Sequence, residues 1–155
     1  MPLHIHEIPA QDAPMALLLL ADPSEYKIRS YLPGSKCFVA WNHGEMVAAC
    51  VVTPLGGDAH ELMSIAVPST HQKQGHGAAL LQWVIAFFRK AGARQLEVGT
   101  GSFGYQLAFY QRHGFRVSSI ERDFFVNHYP APIFEEGIQL LDMLRLTLPY
   151  PSNAN

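Results

Sequence analysis

Residues 64–90 read SIAVPSTHQKQGHGAALLQWVIAFFRK: a short apolar strand, a polar link holding two glycines, and a long amphipathic helix. Ile65-Ala66-Val67 suits a buried strand end, and Pro68 stops it because proline cannot donate to a sheet ladder. Gln72-Lys73-Gln74-Gly75-His76-Gly77-Ala78 then leads straight into the helix. There Leu80, Leu81, Val84, Ile85, Phe87 and Phe88 form a wide apolar stripe of the kind that packs on a sheet. Glycines just before a helix leave backbone N–H groups uncovered by side chains. Unpaired N–H groups together with the helix dipole make a site for an anion, above all a phosphate.

Strand, glycines and helix also describe a dinucleotide-binding turn, and Glu97 stands about twenty residues on, where a ribose-binding acid belongs. Two facts argue against that reading. The third glycine position holds Leu80, and seven residues, Pro68 to Gln74, separate the strand from Gly75. A dinucleotide turn needs its glycines directly after the strand, because the turn itself brings backbone to the pyrophosphate. A P-loop with its Gly-Lys-Ser/Thr ending is absent as well.

The rest of the chain supplies the sheet. Residues 3–8 alternate in period two, as a half-buried strand does. Asp12 suits the cap of a helix over residues 15–20, and Ser24 the cap of a second helix to about Tyr31. Residues 37–41 and 46–54 read as two strands joined by a hairpin at Asn42-His43-Gly44-Glu45. Residues 61–67 form the next strand, with the long helix running to Ala91 ahead of a C-terminal Gly92. Residues 95–99 are a strand, 106–113 a short helix, 115–125 a strand, 127–137 a loop and 139–148 a last strand. Residues 150–155 read as a frayed tail. Helices mixed with a largely sequential meander predict an α/β (α+β) single domain over residues 1–155. Its centre is one mixed, mostly antiparallel sheet with helices on both faces.

At 155 residues, 48% hydrophobic and 15% charged, the chain can bury a real core. A formal charge of −2 gives no basic face for nucleic acid. No apolar run approaches the roughly 20 residues of a membrane span, and the first residues lack the pattern of a secretory signal. Cys37 and Cys50 read as small buried hydrophobes, and His4 and His6 as a strand face with no third ligand near, so no metal is expected. The expected location is the cytoplasm.

What remains is Gln72-x-x-Gly75-x-Gly77 opening a helix after Val67-Pro68. A second landmark, Phe109-Tyr110-Gln111-Arg112-His113-Gly114-Phe115, lies beyond the next strand. Together these resemble the GNAT superfamily of N-acetyltransferases, whose acetyl-CoA loop reads Arg/Gln-x-x-Gly-x-Gly/Ala and whose later helix carries F-Y-x-x-x-G-F. The ending, from Asp123-Phe124-Phe125 through Asp142-Met143-x-Arg145-Leu146, resembles a bacterial YvbK-like subgroup. In that subgroup the loop before the F-Y helix reads T-G-N-S-S. Here it is Thr100-Gly101-Ser102-Phe103-Gly104, without the asparagine and one residue shorter.

The resemblance implies acetyl-CoA as co-substrate, with its pyrophosphate on Gln72, Lys73, Gln74, Gly75, His76, Gly77 and Ala78. It implies the pantetheine arm along the backbone of Ile65, Ala66 and Val67, with Ser102 as a weak further contact. A neutral amine would attack the thioester carbonyl and release coenzyme A thiolate. An alkylammonium near pKa 10.4 must first lose a proton, and the thiolate benefits from receiving one. Tyr110 matches the family's general acid, against the plain reading of a core aromatic beside Phe109. Glu61 matches the base of one branch, directly or through water, and equally suits a solvated strand start. Asp123, His128, Tyr129 and Glu135 fall where the family often lines its acceptor pocket, for a small-molecule or amino-acid-like amine. A non-catalytic acyl-CoA sensor is the alternative, and homodimers occur among relatives that pair through late strands.

Overall fold

The computed structural model describes residues 3–152. Two units follow one another along the chain, the first ending at Arg94 and the second beginning at Gln95.

In the first unit, β1 (His4–Ile8), β2 (Lys36–Asn42), β3 (Glu45–Gly56) and β4 (Ala59–Ala66) form an antiparallel meander. The β2–β3 turn is two residues, His43 and Gly44, at φ 51° and 78°. Positive φ at both centres matches the right-handed twist of the flanking strands. Gly57 and Asp58, at φ 60° and 62°, turn β3 into β4 in the same way. That turn was expected to be a longer loop. Instead the strand continues to Gly56, and Arg94 fastens the turn through hydrogen bonds to the Gly57 and Asp58 carbonyls.

Alternation along β2 decides which helix covers which face. Cys37 and Val39 join Ala49 and Val51 in a core sealed by Leu18 of α1 (Met15–Leu18) and Ile28 of α2 (Glu25–Tyr31). Phe38, pointing the other way, meets Trp83, Phe87 and Phe88 of α3 (His76–Lys90). Both faces are thus covered. Ser24 caps α2 by accepting from the Lys27 N–H, as expected. Asp12 does not cap α1: it ends a short 3-10 turn, and Pro14 stands at the α1 boundary. Helix α1 is one turn long.

In the second unit, β9 (Met143–Pro149) lies between β5 (Gln95–Gly101) and β6 (Arg116–Glu121), antiparallel to both. The largely sequential order expected departs from the chain order here, because the last strand is inserted. Helix α4 (Tyr105–Arg112) connects β5 to β6. The strand expected to run to Phe125 stops at Glu121. Asp123 enters the left-handed region at φ 61° and starts α5 (Phe124–His128). Aromatic rings spaced four apart pack along it, Phe124 tilted against His128 and Phe125 stacked on Tyr129, a helical rather than a strand pairing. The expected loop after it contains a hairpin, β7 (Phe134–Glu135) with β8 (Ile138–Gln139), turned at Glu136-Gly137. Residues 153–155 of the expected tail lie outside the described residues.

Candidate active site

The link between β4 and α3 is held in shape by its own side chains. The Gln72 side-chain amide donates to the Val67 carbonyl at 3.0 Å. His71 pairs with Glu45 at the start of β3 at 2.8 Å, and the His76 ring lies 3.3 Å from the Gln74 side-chain oxygen. Lys73 and Gly75 take positive φ, 63° and 84°. Gly75 is the N-cap of α3 and offers no side chain, and its carbonyl accepts from the Ala79 N–H. The N–H groups of His76, Gly77 and Ala78 precede that first intrahelical bond. A helix of 15 residues thus presents bare donors and its dipole at one end, which fits a pyrophosphate.

Just before this link, β4 carries an irregularity. Val51 faces Ser64 and Val52 faces Leu62, leaving Met63 as an extra residue, a β-bulge. The bulge changes the phase of the strand. Glu61, opposite Thr53, and Ser64, opposite Val51, share the face covered by α1 and α2, although three residues separate them. Further along, Ile65 and Ala66 pair with Cys50 and Ala49.

Tyr31, Ser64 and Asp22 were passed over in the sequence, where Tyr31 marked only a helix end. The hydroxyls of Tyr31 and Ser64 are buried and have no hydrogen-bond partner among the described residues other than each other. Burial pushes the Tyr31 phenol up to about 12; the charge of Asp22 adds to the rise and Ser64 works against it. Asp22 is itself only 9% exposed, and its Oδ1 accepts from the Ser24 N–H. Nothing in the sequence marks the bulge that brings Ser64 to this face, since no glycine stands there.

In the second unit, Tyr110 is 4% exposed and packs on Phe109 and Phe115, with ring centroids at 5.4 and 5.8 Å. Its carbonyl accepts from the His113 and Phe115 N–H groups, which closes α4. Ser102 is exposed, and Thr100 beside it is buried. Arg112 lies over the Tyr105 ring. Of the four expected acceptor residues, Asp123 begins α5, while His128 and Tyr129 end and follow it. The His128 ring sits 3.6 Å from Glu121. Glu135 is on β7 instead, its carboxylate 3.1 Å from where a Cβ on Gly104, the α4 N-cap, would stand. A carboxylate at that helix start is favoured by the dipole.

Known proteins share this sequence pattern and fold. Residues 33–117 match the family described as acetyltransferase (GNAT) domain. The chain is 42% identical over 133 residues to the Bacillus subtilis (strain 168) protein named uncharacterized N-acetyltransferase YvbK, covering 85% of this chain and 86% of that one. It superimposes on an IAA acetyltransferase from Bacillus cereus with a TM-score of 0.91 at 39% identity, over 96% of this chain and all of that one. A GNAT family acetyltransferase from Elizabethkingia anophelis, solved with acetyl-CoA bound, gives 0.90 at 37% identity over 96% and 98% of the two chains. The glycine link and the Phe109-Tyr110 helix both lie inside the matched region, and the fold agrees over nearly the whole length; the chain belongs to the GNAT family of acetyltransferases.

Proposed function

We propose that residues 1–155 act as one acetyl-CoA-dependent N-acetyltransferase domain. It would move an acetyl group to the amine of a small-molecule or amino-acid-like acceptor by direct attack. The observation that carries this reading is the α3 start, where Gly75 leaves backbone donors bare while Gln72 ties the link to the strand. A relative at 37% identity is solved with acetyl-CoA and another, at 38%, with CoA. On this reading residues 72–78 hold the pyrophosphate, the backbone of Ile65, Ala66 and Val67 guides the pantetheine arm, and Ser102 adds a contact.

Direct attack is favoured over a covalent acetyl-enzyme by the state of the two thiols. Burial and then Glu7 push Cys37 up to about 11, and burial pushes Cys50 well up. A thiol needs its thiolate to act as a nucleophile. Tyr110 carries a phenolic O–H and is assigned to protonate the leaving thiolate. Glu61 is assigned to take the proton of the amine, directly or through water. The free thiols fit a reducing cytoplasm, and no helix among the described residues is long and apolar enough to cross a membrane. Strand β6, exposed along its length with Val117 and Ile120 outward, supports a homodimer.

Melting curves and thiol release test this together. At a hundredfold excess over Kd, acetyl-CoA should stabilise the fold by about 2.7 kcal/mol. Coenzyme A thiol should then appear when amines are added. Stabilisation without thiol release would make the protein an acyl-CoA sensor. Stabilisation by NAD and none by acetyl-CoA would refute the coenzyme assignment.

A further inference from the structure

We propose that Glu45 is a positioning residue for the coenzyme, acting through His71 to hold the β4–α3 link where its bare backbone donors meet the pyrophosphate. This rests on the reading that residues 72–78 take that group. Backbone pairing does not do the holding. Strands β3 and β4 keep one register from Val51 opposite Ser64 to Ala49 opposite Ala66, and there the ladder ends. Pro68 has no N–H to continue it. Ser69–His71 instead forms a 3-10 turn, with the His71 N–H donating to the Pro68 carbonyl. Strand β3 nevertheless extends beyond Ala49 to its first residue, Glu45. The same register, carried on, would set Glu45 opposite Thr70, within that turn.

A side-chain bond takes over where the ladder stops. The His71 Nε2 lies 2.8 Å from the Glu45 Oε2. An ionised carboxylate only accepts, so Nε2 carries the hydrogen. This bond joins residues 26 apart, whereas Gln72 with Val67 and His76 with Gln74 shape the link within itself. The His71 ring then meets the His76 ring edge-on, with centroids 6.1 Å apart. His76 is the first residue of α3 and only 8% exposed, so burial fixes its ring. Contacts thus run from the β2–β3 hairpin to the first turn of α3. The sign of the effect separates shape from charge. Glu45 brings a negative charge to the link, so charge alone predicts that removing it tightens the binding of an anion. Positioning predicts that removing it weakens binding.

Calorimetric titration of the full chain with acetyl-CoA tests this. Glu45→Ala should weaken binding about two- to fivefold, the size of a partly exposed ion-paired hydrogen bond. Glu45→Gln keeps an acceptor oxygen and should recover most of that loss. His71→Ala should match Glu45→Ala, and the double variant should be no weaker than His71→Ala. Dephospho-coenzyme A, which has the pyrophosphate and lacks the 3′-phosphate, should show the same loss. Glu45 is exposed, so the melting midpoints of the free variants should match that of the unmodified protein. Equal or tighter binding by Glu45→Ala overturns the proposal, as do additive losses in the double variant or no recovery in Glu45→Gln. A loss absent with dephospho-coenzyme A would mean direct contact with the 3′-phosphate, and a loss accompanied by a lower midpoint would mean an effect on the fold; either overturns it too. If the unmodified protein binds acetyl-CoA and Glu45→Ala binds it equally, the positioning role alone fails. If the unmodified protein binds none, the reading of residues 72–78 fails with it.

Discussion

The Gln72 side-chain amide donates to the Val67 carbonyl across 3.0 Å, so the residue that opens the glycine motif is tied to the end of the preceding strand. A link of this length has no intrinsic shape, and this bond supplies one. Gln72→Ala should therefore act on binding more than on folding. A neutral hydrogen bond is worth about 0.5–1.5 kcal/mol net, which corresponds to about two- to tenfold in affinity. Calorimetric titration with acetyl-CoA should show a weakening of that size with the melting point of the free protein nearly unchanged. Equal affinity would mean that the link keeps its shape without Gln72.

Gly75 separates backbone strain from crowding. Its φ is 84°, and a Cβ built there meets nothing within 4 Å. Gly75→Ala should cost about 1–2 kcal/mol in denaturant unfolding, all of it from the left-handed conformation. Gly75→Asn should recover much of that loss, because asparagine tolerates the region. An alanine variant as stable as the unmodified protein would show that α3 can start elsewhere.

How much of this was legible in the sequence depends on range. Gly75 and Gly92 bracket α3, and Asn42 to Glu45 mark the first hairpin, because glycine and turn chemistry act within a few residues. The position of β9 between β5 and β6 was not legible, since strand order depends on pairing partners far apart in the chain. Phe124 and Phe125 read as strand because aromatics suit strands. Asp123 in the left-handed region and ring contacts at four-residue spacing go with a helix instead. The Met63 bulge was the costliest omission. It changes the face of Ser64, and only the pairing with Val51 reveals it.

Tyr31 gives the fold a sensitivity to alkali. Its folded pKa is about 12 against an unfolded value near 10, with burial as the main cause and Asp22 second. The folded state thus holds the phenolic proton more tightly than the unfolded state does. The contribution is fully present below pH 10 and is lost as pH rises from about 10 to 12. Unfolding free energy measured across that window should fall more steeply for the unmodified protein than for Tyr31→Phe. Parallel slopes would mean that the phenol is no more buried than in the unfolded chain.

Tyr110→Phe isolates one oxygen atom. The ring packs between Phe109 and Phe115 and would remain, so the aromatic cluster that closes α4 should survive. If the hydroxyl supplies the proton to the leaving thiolate, kcat should fall by about 10²–10⁴-fold, the usual contribution of a positioned acid. Acetyl-CoA affinity, set by the backbone donors of α3, should change little. The pattern to look for is therefore a loss in kcat with the coenzyme melting shift retained. A leaving group that needs no help should also narrow the gap: with an acyl donor whose thiol has a lower pKa, the variant should recover part of its rate. An unchanged kcat with acetyl-CoA would return Tyr110 to the role of a core aromatic.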